Sequence, residues 1–170
     1  MTEQTHTSNR SVLDYPLPIF RFIVNFTQAN NDADKPLCGG AFSECSGIEA
    51  TMEPKAIKVG GQNYGEVQLV GRVSFATVVL KRGVCKNRDL WNWFELVNGG
   101  AYAFRLHAEI ILLDFDQSRE GRPVMKWEMT NALPTKFKAP DFNSTANQVG
   151  IEELHFVHEG MTHSLINSEN

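Results

Sequence analysis

The chain has 170 residues, which suits one domain with one sizeable core, and its 42% apolar and 21% charged content excludes a largely disordered protein. A net charge of −4 is too mild to argue for nucleic acid or a membrane surface as partner. Cys38, Cys45 and Cys85 are odd in number and form no C-x-x-C pair, so they read as buried thiols in a reducing compartment, with no disulfide framework or zinc site.

The start MTEQTHTSNRS is polar and has no apolar h-region, so residues 1–15 read as a flexible arm without a secretory signal. The Pro16-Leu17-Pro18 step feeds an extended segment, and Ile19 to Phe26 follows as a strand with Phe20, Phe22, Val24 and Phe26 on one face. Residues 27–36 form a polar loop. Gly40 to Met52 reads as a second strand broken at Ser46-Gly47, and Pro54 bars it from a regular ladder. Lys58 to Gly71 holds four glycines and reads as a mobile loop or a loosely held hairpin. Val73 to Lys81 is the strongest strand in the chain: it is rich in β-branched and aromatic residues, apolar on both faces, and ended by Gly83.

One helix is expected after Asn87, which can cap it, with Asp89 in a first turn where the helix dipole favours negative charge. Leu90, Trp93, Phe94 and Val97 make its apolar stripe, and Gly99 and Gly100 stop it. Phe104 to Phe115 reads as a long strand with Phe104, Leu106, Ala108, Ile110 and Leu112 on one face. The turn DQSREGR joins it to Val124–Asn131 as a hairpin. Residues 132–147, with Pro134 and Pro140, read as an irregular connector. Gln148 to His158 is the last expected strand, and residues 161–170 a flexible polar tail. One helix against five or six strands gives a mainly β (α+β) domain at residues 16–160, a two-sheet sandwich or partly closed barrel.

Catalytic constellations are weak. His155 and His158 fall on opposite faces of a strand, which separates them as metal ligands. Asp114 and Asp116 sit where a strand enters a turn, a usual place for Asp. Cys85 follows Lys81 and Arg82 but has no base beside it, and VGGQNYG lacks the Lys-Ser/Thr of a phosphate-binding loop. No enzyme, cofactor or metal is therefore expected. Doubly apolar strands need two covering layers, and long exposed edges need a partner. A symmetric oligomer that continues the sheet between subunits meets both needs, as does a monomeric sandwich that covers its own sheets. A small-ligand β-barrel carrier is a further alternative.

Five segments in order carry a resemblance: YPLPIFRFIVNF, FSECSGIEA, FATVVLKRGV, RDLWNWF and WEMTNALPTKFKAPDFNSTANQVGIEELHFVHEG. Together they resemble the tail-tube proteins of contractile phage tails and phage-tail-like injection systems, over about residues 15–160. The resemblance implies two packed sheets with one helix, and a hexameric ring whose subunits pool long strands into a larger β-barrel around a channel. Stacked rings form an inner tube that a contracting sheath drives through a target envelope. A tube-initiating ring on the baseplate and spike hub has the same implied fold. Sheath, baseplate and spike-hub proteins are the implied partners, and protein cargo in the channel is a further one; assembly is expected in the cytoplasm.

Subunit contacts are expected at Val73, Phe75, Thr77, Val79 and Lys81, with Met52 and Arg72 beside them, and the resemblance gives Ile57–Arg72 a role in ring contacts. Charge adds Glu152 and Glu153. Residues 54–105 carry +5 and residues 151–170 carry −4, an asymmetry that suits head-to-tail stacking of unlike faces.

Overall fold

The computed structural model describes residues 16–28, 38–40, 42–58, 60–61, 64–114, 121–145 and 147–166. Within them one helix packs against a twisted eight-stranded sheet, and a two-part ribbon projects from one edge of that sheet. Five short strands and a longer one open the chain: β1 (Phe22–Gln28), β2 (Cys38–Gly40), β3 (Glu44–Ser46), β4 (Ala50–Met52), β5 (Lys55–Ile57) and β6 (Val67–Leu69). Then come β7 (Val73–Phe75), β8 (Val78–Gly83), α1 (Asp89–Asn98) and β9 (Leu106–Asp114). The last three strands are β10 (Arg122–Lys138), β11 (Ile151–Val157) and β12 (Gly160–Leu165). Every pairing is antiparallel, in the order β2-β1-β9-β10-β11-β8-β3, with β12 also on β10.

Strand β10 organises the sheet because it is 17 residues long and changes partners along its length. Its first half lies between β9 and β12, with Trp127 opposite Ile110 on one side and His163 on the other. Its second half pairs with β11, from Leu133↔Val157 to Lys138↔Glu153. Between the halves Asn131 takes φ 55°, a left-handed conformation that Asn tolerates better than most residues, and the register to β9 shifts there. The connector expected at residues 132–147 is therefore strand as far as Lys138. Pro134 has no amide to donate, but it sits beside a second register shift, where the ladder tolerates its ring. The polar tail expected from residue 161 is likewise corrected. Residues 161–165 belong to β12, held by a ladder to Met125–Thr130 that polarity does not oppose on a solvent-facing edge.

The core lies between α1 and one face of the sheet. Alternation supplies it: Val24 and Phe26 from β1, Val78 and Leu80 from β8, Leu106, Ala108 and Ile110 from β9, and Leu154 and Phe156 from β11 are all buried. Phe26 sits 5.0 Å from Trp93 and 5.5 Å from Phe156, ring centre to ring centre, which fastens α1 to both halves of the sheet. Truncating any of these three costs about 3–5 kcal/mol by the usual scale of aromatic core deletions. Phe20, expected on the core face, lies before β1 begins and is exposed.

The helix start departs slightly from expectation. Asn87 Oδ1 accepts the Asp89 backbone N–H, one residue before the N-cap Arg88, and Asp89 Oδ1 accepts the Leu90 N–H. Leu90 and Trp93 are buried, and the Gly99 N–H closes the last turn on the Glu95 carbonyl.

Candidate functional site

The most distinctive feature is an arm built from β4 to β7. Ser46 pairs with Val79 at the sheet edge, then Ala50 with Phe75, Met52 with Val73, Lys55 with Leu69 and Ile57 with Val67. The chain thus runs outward along β4 and β5 and returns along β6 and β7, a course the alternating pattern provides only if two breaks are accommodated. At the first, Gly47 takes φ +83° and comes so close to the Thr77 carbonyl that a Cβ would lie 2.1 Å from its oxygen. At the second, Gly71 lies against Glu53, where a Cβ would lie 1.4 Å from the carbonyl oxygen. Pro54 occupies the gap between β4 and β5, where no ladder bond is needed.

The arm makes extensive contacts only within itself. Met52, Ile57, Val67, Leu69, Val70 and Val73 are all exposed, Val70 at 83%. A ribbon this apolar, uncovered by the described residues, has the character of an interaction surface. Within the glycine-rich stretch 58–71, Val67–Leu69 is strand β6, paired with β5.

The root of the arm decides which expected contact residues lie together. The Val73–Lys81 run is two strands, interrupted at Ala76-Thr77, where the Ala76 N–H bonds the Glu49 carbonyl. The interruption shifts the alternation by one. Phe75 turns toward the core side and packs its ring on that of His158, centres 4.8 Å apart. Val79 and Lys81 point the other way from buried Val78 and Leu80. Thr77 is exposed between them, and Met52, Arg72 and Val73 lie on the free arm. Eight of the nine expected residues thus divide among the arm, its root and the outer face of β8 and β11; Glu152 lies on the inner face.

Glu152 is corrected outright. It is buried, and its carboxylate accepts from Arg82 Nε at 2.5 Å, while Arg82 Nη2 reaches Asp89 Oδ1 at 2.7 Å. This triad ties β8, β11 and the first turn of α1 together inside the subunit, so Glu152 presents no charge to a neighbour. Glu153, on the opposite face of β11, is partly exposed near Lys138 (3.9 Å) and His155 (3.5 Å). Lys81 is held by Glu44 at 2.8 Å.

His158 follows the inward alternation of β11, and His155 lies on the other face as the odd spacing requires. Burial pushes the His158 pKa down, with a hydrogen bond to the Gly160 carbonyl opposing. Burial also pushes the Cys45 thiol up to about 12, Glu44 adding to the effect, which keeps it in the unreactive thiol form. Among the described residues there is no group of three His, Cys, Asp or Glu side chains placed to hold a metal ion, and no helix is long and apolar enough to cross a membrane.

A mainly β subunit that presents an exposed apolar ribbon has the character of proteins that assemble with copies or partners. The family model for the T4-like virus tail tube protein gp19 matches residues 18–162, and the chain belongs to that family of structural proteins, which are not enzymes. A chain in the anti-feeding prophage (AFP) baseplate, six-fold symmetrised, is 28% identical, with TM-score 0.74, 89% of this chain and 97% of that one covered. A chain of the extracellular contractile injection system PVC sheath–tube complex in its extended state is 22% identical, with TM-score 0.72 and 91% and 95% covered. A chain of the AFP tube-terminating cap is 19% identical, with TM-score 0.71 and 96% and 100% covered; these last two likenesses show the fold. No curated protein sequence matches.

Proposed function

We propose that the chain is a structural subunit of the inner tube of a contractile injection system, in which six copies form a ring and rings stack around a channel. The observation that carries this reading is the arm: an apolar ribbon uncovered by the rest of the described chain, on a member of a tail tube family. In this reading the arm crosses to a neighbouring copy, and the outer face of β8 and β11, with Val79, Lys81 and Glu153, meets another subunit. The six-fold symmetry of the similar AFP assembly supports the ring size, and the sheath–tube complex of the similar PVC chain supports a sheath as outer partner. Baseplate and spike-hub proteins would meet the end of the tube, and protein cargo would occupy the channel.

A second reading is a tube-initiating ring between tube and baseplate. One observation favours it: the neighbour with 28% identity comes from a baseplate, whereas the sheath–tube chain stands at 22%. Native mass spectrometry and negative-stain microscopy, alone and with co-expressed baseplate proteins, separate the cases. Long tubes from the chain alone support the tube subunit. Single six-fold rings that appear only with baseplate proteins support the initiator. A monomer that stays monomeric beside both sets of partners overturns the proposal, and a retained small ligand would then favour a carrier.

A further inference from the structure

His158 stands at the root of the arm, where Phe75 of β7 packs on it as the ribbon leaves the sheet through β3 and β8. Its surroundings are unusual for a titratable group. The residue is 8% exposed, and its ring packs on that of Phe75 of β7. Nδ1 lies 3.0 Å from the Gly160 carbonyl, a contact that only an Nδ1–H can make attractive. That assignment leaves Nε2 as the bare nitrogen of the neutral ring. Nε2 is buried and has no hydrogen-bond partner among the described residues.

The groups around it offer no acceptor for a second proton. On β10, the stretch from Thr130 to Pro134 beside β11 carries no titratable side chain. Glu159 is exposed, and its carboxylate accepts from Asn131 Nδ2. On β12 the nearest titratable side chain, His163, stacks on Trp127. On β8, Lys81 is engaged with Glu44 and Arg82 with Glu152 and Asp89. On the arm, Arg72 and Glu53 are exposed, and Glu49 accepts from Thr51. His155 lies on the far face of β11 beside Glu153.

We propose that His158 is a proton-operated latch for the arm: neutral, it seats Phe75 and holds the ribbon at a fixed angle to the sheet; protonated, it leaves its pocket and frees the root. The physical cause is desolvation. A second proton must go to Nε2, where no carboxylate or carbonyl of the described residues receives it and no water reaches the nitrogen from the surface. The attraction of an imidazolium for the Phe75 face opposes this, but a cation buried without an acceptor loses more than one aromatic face returns. Rotation of His158 toward solvent restores hydration and removes the ring that Phe75 rests on.

The direction follows from linkage. Burial lowers the pKa of the latched state below the ordinary histidine value of about 6.5, so above that value both states are neutral and the latch is intact. As pH falls through it, the released state takes up a proton that the latched state refuses, and the balance moves toward release. Release is expected to loosen the root while β9 and β10, paired with each other and with β1, β11 and β12, keep their ladders.

This latch is a property of the single chain and stands apart from the tube reading. Hydrogen exchange of the full-length subunit, corrected for the intrinsic pH dependence, tests it between about pH 7.5 and pH 5.0. Protection of the Phe75–Val78 amides should fall about tenfold relative to β9 on acidification. H158F, which keeps an aromatic ring but cannot titrate, should show equal root protection at both pH values. F75A, which keeps His158, should be loose at the root already at neutral pH with no further step, and it decides the matter if H158F does not fold. Root protection indifferent to pH in the parent chain overturns the proposal. So does a pH step that survives in H158F or F75A, or loosening of β9 and β10 in parallel with the root.

Discussion

At the scale of single residues, the ion triad and the cysteines make the sharpest predictions. Arg82 and its two carboxylates are nearly inaccessible, so each is needed to compensate the others. Replacing Glu152 by Gln leaves Arg82 with Asp89 alone and should destabilise the fold by about 3 kcal/mol, read as a lower urea midpoint at neutral pH. The same change at exposed Glu159 should stay within about 0.5 kcal/mol. Cys85 is exposed, contrary to the buried thiol expected there, whereas the Cys45 thiol is held protonated by burial. Iodoacetamide at pH 8 should therefore modify Cys85 in the native protein and Cys45 only after unfolding, as peptide mapping by mass spectrometry would report. The triad was not legible in the sequence. Glu152 and Arg82 are 70 positions apart, and an adjacent Glu-Glu pair reads as a solvated face until the strand alternation is placed against a partner.

At the scale of elements, two backbone positions govern shape. Asn131 bends β10 so that one strand serves two sets of neighbours. Asn131→Gly should be nearly neutral, whereas Asn131→Val, which brings a β-branched side chain to φ > 0, should cost about 1–3 kcal/mol by thermal unfolding. Gly71 allows the arm to pass its own kink at Glu53. Gly71→Ala should disorder the outer arm, seen as faster exchange at Val67–Leu69, while the melting temperature of the body is unchanged within error. β1, β9, α1 and the first half of β10 were legible because their apolar residues recur at the period of the element that forms. The continuation through Pro134 and the addition of β12 were not. A proline and a polar run both argue against a strand locally, and only the partner strands override them.

For the whole molecule, the predictions concern assembly. Val79 is half-buried on the face of β8 away from the core, so Val79→Asp should leave the circular dichroism of the subunit intact and suppress rings in native mass spectrometry. A variant that is folded and assembles normally would place Val79 outside every contact. The charge asymmetry that suits stacking is narrower in the folded chain: Glu152 is neutralised inside, Glu153 faces Lys138, and Lys58 lies 3.7 Å from Glu66. Lys55 and Arg72 remain as exposed cations on the arm. Exposed pairs contribute only about 0–1 kcal/mol each. Raising ionic strength should accordingly shorten stacks modestly while rings held by apolar burial persist, as light scattering and microscopy would show. Stacks that are indifferent to salt would remove charge from the account.

Composition and periodicity determined that the chain is mainly β with one helix, where that helix lies, and which faces of β1 and β9 are apolar. These follow from local chemistry: a residue's preference for a pleated or helical backbone acts over a few neighbours. The order of five short motifs determined the family, which the match over residues 18–162 then bore out. Only the tertiary structure decided that Val73–Lys81 is broken at Ala76-Thr77, that Phe75 meets His158, and that Glu152 faces inward. Each of these is a pairing across the sheet, between segments with no local reason to meet. Such pairings are set by register, and a one-residue shift exchanges the face that packs for the face that waits for a partner.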